Sequence, residues 1–540
     1  MWREPIVKQM KWNSQKELEQ LVIQLVKFES RTGTEGEKKF PEFLQNIMMD
    51  LPYFANNPTH IQLIDAKKGR QALSALYRTE KTANTIVLIS HFDTVHTKEY
   101  GTLENIACDP YRLEQALFEN KQDLSMEVQT DLQSGAYLFG RGTMDMKMGL
   151  ALHLSIIEKA TIEQWPINIL LLSVPDEEVN SDGMRAAVEY IATLQKDHSL
   201  TFSLFLNSEP SFTQKPNDLS YYLYTGSIGK LMPTALSYGI ETHAGEPLNG
   251  LNAHYMTSFI TSAMEFNEQF QERVYGESTP LPTCLQVVDL KKDYSTQTSH
   301  HVAAYFNVQV MKQTAEDVMG KFERTVQQAI AKCEQSYHQL CERQNITPIG
   351  NINVMTYEQL YTYAIKKHGE ANIRNFIQLE DKTMDDRTAV AMKVDRLMAS
   401  CKELAPNVVL FFAPPYYPAV NSSNDDKIKK LVTIIQETMQ EDFKKQVSQI
   451  HYFNGICDLS YVNYNVHDEG WKTYAINCPR WGNGYSIPFE AMKQLHAPVL
   501  NVGPYGKDAH KLTERLHKQS AFIETPILLE KVIQQYFTVT

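Results

Sequence analysis

The sequence predicts an α/β protein: a mixed, mostly parallel sheet flanked by helices, interrupted by an inserted α+β domain. Three observations carry this expectation. TIVLIS (85–90), INILLLSV (167–174), LFLNS (204–208) and APVLNVG (497–503) are apolar runs of strand length, as expected for strands buried on both faces. GLALHLSIIEKA (149–160) lies between the first two and reads as an amphipathic crossover helix. From about 225 to 401 the pattern changes to strands such as VAAYFNVQV mixed with two long helical stretches.

Along the chain, SQKELEQLVIQLVKF has apolar residues at helical spacing, with Ser14 placed to cap it. SRTGTEGEKKF breaks that helix and PEFLQNIMMDL resumes the period. The strand and helix alternation follows. TAEDVMGKFERTVQQAIAKCEQSY and TAVAMKVDRLMASC are the long helices of the insert. NVVLFFAPPYYPAV (407–420) reads as the return to the first domain, followed by the helix DDKIKKLVTIIQETMQ. The expected boundaries are therefore 1–224 and 404–540 for a discontinuous catalytic domain, and 225–403 for the insert.

The chain has 540 residues and 43% hydrophobic content, enough for two to four domains. Its formal charge of −12 and the lack of any basic block argue against nucleic acid as a partner. No run approaches the ~18 apolar residues of a membrane helix, so no membrane partner is expected. The first residues, MWREPIVKQ, contain no secretory h-region. Seven scattered cysteines without a CxxC pair suit reduced thiols in the cytoplasm.

Function is written at the strand ends. SHFDTV brings His91 and Asp93, PDEEV brings Glu177 and Glu178, NSEP brings Glu209, and VGPYGKDAH brings His510. Asp145, in GRGTMDMK, precedes the crossover helix. In open α/β sheets, sites form beyond the carboxyl ends of the strands. One acid after a strand is unremarkable, but five such placements together predict a two-metal hydrolase. Histidine and carboxylate donors without cysteine suit Zn²⁺, with Co²⁺ or Mn²⁺ as alternatives.

Charge supports two ions. Asp145, Glu178 and Glu209 carry three negative charges; two divalent cations and one hydroxide bring the sum to zero. A metal lowers the pKa of bound water from about 15.7 to about 7, worth on the order of 12 kcal/mol. A general base contributes about 10²–10⁴-fold; Glu177 is expected in that role. Asp93, two residues after His91 on an extended backbone, is expected to accept the ring N–H and fix its tautomer.

Other features carry less. TGSIGK (225–230) lacks phosphate-loop spacing. His153 reads as packed in the core, the His300–His301 pair as structural or surface, and APPYYPAV as a strand exit and turn.

These motifs resemble the zinc aminoacylase and carboxypeptidase-type metallopeptidases, which include succinyl-diaminopimelate desuccinylase and peptidase T. Length and flanking text look most like the RocB-type branch associated with arginine utilisation. The resemblance implies a zinc-exopeptidase-like catalytic domain with a lid or dimerisation domain inserted. It implies that His91, Asp145 and Glu209 hold one metal, and Asp145, Glu178 and His510 the other. It further implies Glu177 as general base and His243, in ETHAGEPLNGLNA, as the group that stabilises the oxyanion. Glu514 matches a motif acid near the metals, and Asp458 a supporting acid. A homodimer is implied, because in many members this histidine reaches a neighbouring subunit.

One departure stands out. Asn307 and Gln309 occupy the lid-strand positions where the family pattern has Asp and Arg, and a Gln lacks the charged fork that binds a carboxylate. The expected activity is hydrolysis of an amide bond in an N-acylated amino acid or small peptide. An aminopeptidase or dipeptidase is the alternative, and a non-catalytic binding protein on the same scaffold the second.

Overall fold

The computed structural model describes residues 10–214, 220–378, 384–465 and 467–538. The reading of MWREPIVKQ lies outside them. The chain forms two compact units: 1–227, 420–464 and 488–540 make the first, and 228–419 with 465–487 the second.

The first unit is built on an eight-stranded sheet. Its centre runs Asn168–Val174, Asn84–His91, Thr201–Asn207 and Val499–Asn501, all parallel. Gln71–Tyr77 pairs antiparallel outside Asn168–Val174, and Ile61–Asp65 antiparallel outside that. On the other side Tyr221–Tyr224 and then Val447–Ile450 complete the order. Ile86, Val87, Leu88 and Ile89 are all fully buried. Successive side chains of a strand point to opposite faces, so both faces are covered. Ile86 and Leu88 join a core with Leu21, Leu44, Leu150 and Leu154 from the helices Gln15–Lys27, Glu35–Met49 and Met148–Glu163.

Ser14 caps the first helix as its sequence suggests. Its hydroxyl accepts from the Glu17 N–H at 3.3 Å, and the Glu17 carboxylate accepts from the Ser14 N–H at 2.9 Å. Such reciprocal capping is worth about 1 kcal/mol. The helix Met148–Glu163 departs from the amphipathic expectation: it is buried nearly all round. It packs on the sheet strands while Gln15–Lys27 and Thr525–Thr538 also pack against it. The buried Glu158 on it accepts the backbone N–H groups of Lys11 and Trp12 at 2.8 and 3.0 Å.

The second unit has a five-stranded sheet in the order Thr283–Asp289, His301–Val310, Gly229–Tyr238, Asn407–Tyr417, Asn353–Thr356. The first three pairings are antiparallel and the last is parallel. The helices Ala253–Met264 and Asp386–Ala399 pack on it, and the 29-residue helix Ala315–Arg343 packs on the former. Cys333 and Cys341 are buried free thiols on that long helix.

The expected return at 404 is corrected. Asn407–Tyr417 pairs with Gly229–Tyr238 and remains in the second unit; the crossing falls at 419/420, and 465–487 crosses back again. A fully apolar run reads the same as a central strand of either sheet, so periodicity alone could not assign it.

Candidate metal centre

The parallel strands end together. His91 is in register with Val174, and Ile89 with Asn207. The residues that follow, Glu177, Glu178 and Glu209, therefore emerge at one edge of the sheet with His91. Asp145 reaches the same edge from a tight turn, Thr143–Lys147, ahead of the crossover helix. Its extended φ of −116° and ψ of 102° keep it out of the helical path. Gly142 enters that turn at φ 78°, a conformation that favours glycine. Gly503 serves a different need: a Cβ there would lie 2.0 Å from the Glu209 carbonyl oxygen, so only glycine lets the last strand pass.

Two donor groups result. His91, Asp145 and Glu209 offer atoms within 4.8 Å of one another, and so do Asp145, Glu178 and His510. Asp145 belongs to both and divides its oxygens between them. Its Oδ1 lies 3.2 Å from His91 Nε2, and its Oδ2 lies 3.1 Å from His510 Nε2. Glu209 Oε1 is 3.5 Å from His91 Nε2, and Glu178 Oε2 is 3.3 Å from His510 Nε2. A tetrahedral ion with ligand bonds of about 2.0–2.1 Å has edges of about 3.3 Å. The spacings match that figure, and the donor set of imidazole and carboxylate fits zinc, cobalt or manganese.

The electrostatics agree. Burial pushes Glu209 and Glu177 well above the usual carboxylate range, and the neighbouring acids add to this while His91 opposes it. Burial also raises Glu178, with Asp145 reinforcing it. Burial would lower His91, yet the charge of Glu209 and the hydrogen bond that the His91 ring donates to Asp145 carry it well above an ordinary imidazole. Hydrogen bonds to Asp145 and Glu178 raise His510 to about 11. Asp145 is lowered: burial opposes this, but its bonds to His510 and His91 outweigh burial. Acids gathered this closely hold protons unless a cation replaces them.

Asp93 acts differently from expectation. His91 Nδ1 donates to the backbone carbonyl of Asp93 at 3.0 Å, whereas the carboxylate Oδ1 stands 3.6 Å away, beyond hydrogen-bond reach. The carboxylate instead accepts from the Glu177 N–H at 3.1 Å, the Glu178 N–H at 3.4 Å and the Thr32 hydroxyl at 2.8 Å. It fixes the turn that carries both glutamates. The reason is strand direction: the next strand ends at Val174, so its exit loop passes directly over Asp93.

Glu514 is fully buried and clamps the other turn. It accepts from Arg141 Nη1 at 2.5 Å, from the Gly142 N–H at 2.8 Å and from the Met144 N–H at 3.4 Å. Burial pushes Glu514 and Asp458 up to about 7 each. Asp458 stands close enough for its charge to raise both Glu177 and Glu209. His153 is packed as expected, with Nε2 3.0 Å from the Ser208 hydroxyl, and burial lowers it to about 3.

His243 lies in the second unit on an exposed loop, where its Nδ1 accepts from the Gly245 N–H at 3.0 Å. Asn307 and Gln309 sit on the strand His301–Val310 of that unit, opposite Thr283 and Lys230 respectively.

Sequence reasoning missed Arg70. It is 4% exposed and its guanidinium joins Asp176 and Asp182, the latter at 2.5 Å, with Glu37 3.8 Å away. Asp176 has a φ of 68°, and its carbonyl accepts the Asn180 N–H at 3.1 Å and the Ser181 N–H at 2.6 Å. Arg70 thus anchors the residue immediately before Glu177. No local pattern marks it, because its partners lie more than a hundred positions away. Lys147 and Arg141 were missed too, although both lie inside the GRGTMDMK motif. Lys147 is buried, donates to the Phe28 carbonyl at 2.8 Å, and is lowered by burial to about 8.

A parallel-sheet edge that gathers two histidines and several acids defines a metal-dependent hydrolase of the metallopeptidase class. The chain belongs to peptidase family M20/M25/M40, which matches residues 87–522. It falls in the RocB-type branch: it is 29% identical to RocB of Bacillus subtilis (strain 168) over 539 residues, covering 96% of this chain and 94% of RocB. It is 39% identical to YqjN of the same organism over 534 residues, 97% of each chain. In fold it is similar to the M20 family metallo-carboxypeptidase Sso-CP2 from Sulfolobus solfataricus. The TM-score is 0.55 at 12% identity, covering 96% of this chain and 99% of that one.

Proposed function

We propose that this protein is a dimetal amidohydrolase that cleaves the amide bond of an N-acylated amino acid or small peptide. The observation that carries the reading is Asp145, whose two oxygens face two separate histidine–glutamate pairs. His91, Asp145 and Glu209 would hold one divalent ion and Asp145, Glu178 and His510 the other, most simply zinc. When bound, such ions polarise the scissile carbonyl and lower the pKa of the attacking water towards 7.

The side chains do the rest. Glu177 Oε2 stands 3.9 Å from His91 Nε2 and faces the same donors. It takes a proton from the attacking water and gives it to the leaving nitrogen. Burial, together with the neighbouring acids Asp458, Glu209 and Glu178, makes its carboxyl a better proton holder than an exposed glutamate. Asp93 and Arg70 keep its turn in place. His243 keeps the role the family pattern assigns it, donor to the developing oxyanion.

The RocB-type branch supports a place in amino-acid catabolism, with arginine-related substrates first to be tried. Seven free cysteines support a reducing compartment such as the cytoplasm; no helix among the described residues is long and apolar enough to cross a membrane. A homodimer is the expected assembly, and sedimentation of the purified protein measures it.

The test combines metal analysis with turnover. Purified protein supplied with zinc should hold close to two ions per chain, and a panel of N-acyl amino acids and dipeptides should reveal a substrate. Glu177→Gln should then lower turnover by about 10²–10⁴-fold while leaving metal content unchanged. A chain that takes up no metal and turns over no amide is a binding protein instead.

A further inference from the structure

The second unit contains a cleft of about 630 Å³ that the hydrolytic reading does not use. The helices Tyr357–His368, Glu370–Phe376 and Asp386–Ala399 and the segment 475–483 line it. Its rim is exposed and polar, with Arg374 paired to Glu370 at 2.5 Å. Its floor is different. Lys393 is 7% exposed, and its ammonium donates to the Pro479 carbonyl at 3.2 Å. Among the described residues no carboxylate comes within ion-pair distance of it.

A buried ammonium loses its hydration, and a single carbonyl returns little of that loss. Beside it stands a second cation, Arg480, 3.3 Å from Asp386. Burial lowers the Lys393 pKa, and the repulsion from Arg480 lowers it further. Arg480 and Asp386 pair with each other outside the lining, which leaves Lys393 as the buried cation that faces the cleft. The walls are aromatic. Tyr357 and Tyr361 stack at 5.7 Å, and Trp481 meets Tyr474 edge-on at 5.9 Å. Rings of this kind offer large apolar contact to a flat molecule.

We propose that this cleft binds a small planar carboxylate, with the anion on Lys393 and the flat body against Tyr357, Tyr361 and Trp481. The site belongs to a different unit from the metal centre, and the proposal stands whether or not the protein hydrolyses amides.

Benzoate is the probe and benzamide its neutral isostere. Full-length protein, metal-stripped and metal-loaded alike, is titrated with each while tryptophan emission is followed. Benzoate should change the emission saturably, benzamide at the same concentrations should not, and Trp481→Phe should remove the change. Lys393→Met, which replaces the charge with an apolar chain of similar length, should weaken benzoate binding by about tenfold or more. An equal response to benzamide overturns the proposal. So does a change that survives Trp481→Phe, or undiminished benzoate binding by folded Lys393→Met, or the absence of any saturable change. If Lys393→Met does not fold, the benzoate–benzamide comparison on the unmodified protein decides.

Discussion

In the first unit the strands ending at His91, Val174 and Asn207 run in one direction, so the residues after them meet at one edge. In the second unit Thr283–Asp289, His301–Val310, Gly229–Tyr238 and Asn407–Tyr417 alternate in direction, and neighbouring strands end at opposite edges. The chemistry follows the topology. The first unit holds the two groups of three donors that could bind a metal among the described residues. The second holds separate pairs instead, among them His301 with Asp395 at 2.8 Å, His254 with Asp289 at 2.9 Å and Arg480 with Asp386 at 3.3 Å. Parallel strands concentrate charge because crossover connections return each chain end to the same side. An antiparallel sheet distributes it.

The sharpest way to break this contrast is to remove the residue on which the gathered edge depends. Asp145→Asn deletes the charge that both donor groups share. Metal content should fall below one ion per chain, and turnover should drop by thousands-fold or more, since the ions contribute several kcal/mol. Metal analysis and a rate assay on one preparation check both. Retention of two ions would mean that Asp145 is not the ligand the two groups share.

A second comparison concerns stability. Arg70→Met leaves Asp176 and Asp182 buried without their guanidinium, although Arg185 still pairs with Asp182. Breaking a buried network in this way costs about 3–5 kcal/mol. Asp395→Asn, at a partly exposed single pair of the second unit, should cost about 1 kcal/mol. Urea denaturation of the two variants measures the difference, and equal losses would mean that Arg70 is no special anchor.

The smallest effect is a slope. Between about pH 6.5 and 8, His91, His510, Glu177 and Glu209 hold more protons folded than unfolded, because each has a raised pKa. For His510 the stabilisation is complete below the ordinary 6.5 and is lost as pH rises towards about 11. Asp145, whose pKa is lowered, is already ionised in both states across this window. Lys147 begins to act only above about 8, and His153 acts below 6.5. Metal-stripped protein should therefore become less stable as pH rises through the window. Metal-loaded protein should show the opposite trend, because donors must lose their protons to bind ions. Melting temperatures at several pH values, with and without zinc, settle the sign. His510→Ala should flatten the metal-free slope.

Much of the site was legible from local text. His91, Glu177, Glu178, Glu209 and His510 each follow an apolar run, and the structure places them with Asp145 in the spacing described. The Ser14 cap was equally readable, since capping depends on four consecutive residues. Three features were not. The strand Asn407–Tyr417 looked like part of the first sheet. The carboxylate of Asp93 looked like a partner for its neighbour's ring, yet it holds the backbone of Glu177 and Glu178. Arg70 carried no signal at all, because its partners are 106 and 112 residues away.

Sequence alone determined which residue types follow which strands, and with them the class of chemistry, because strand length, burial and crossover order are encoded in short runs of apolar residues. Tertiary structure decided which oxygen of Asp145 faces which histidine, which sheet claims an apolar strand, and which arginine steadies the glutamate turn. Those choices depend on packing between segments far apart in the chain, where no local period constrains the partner.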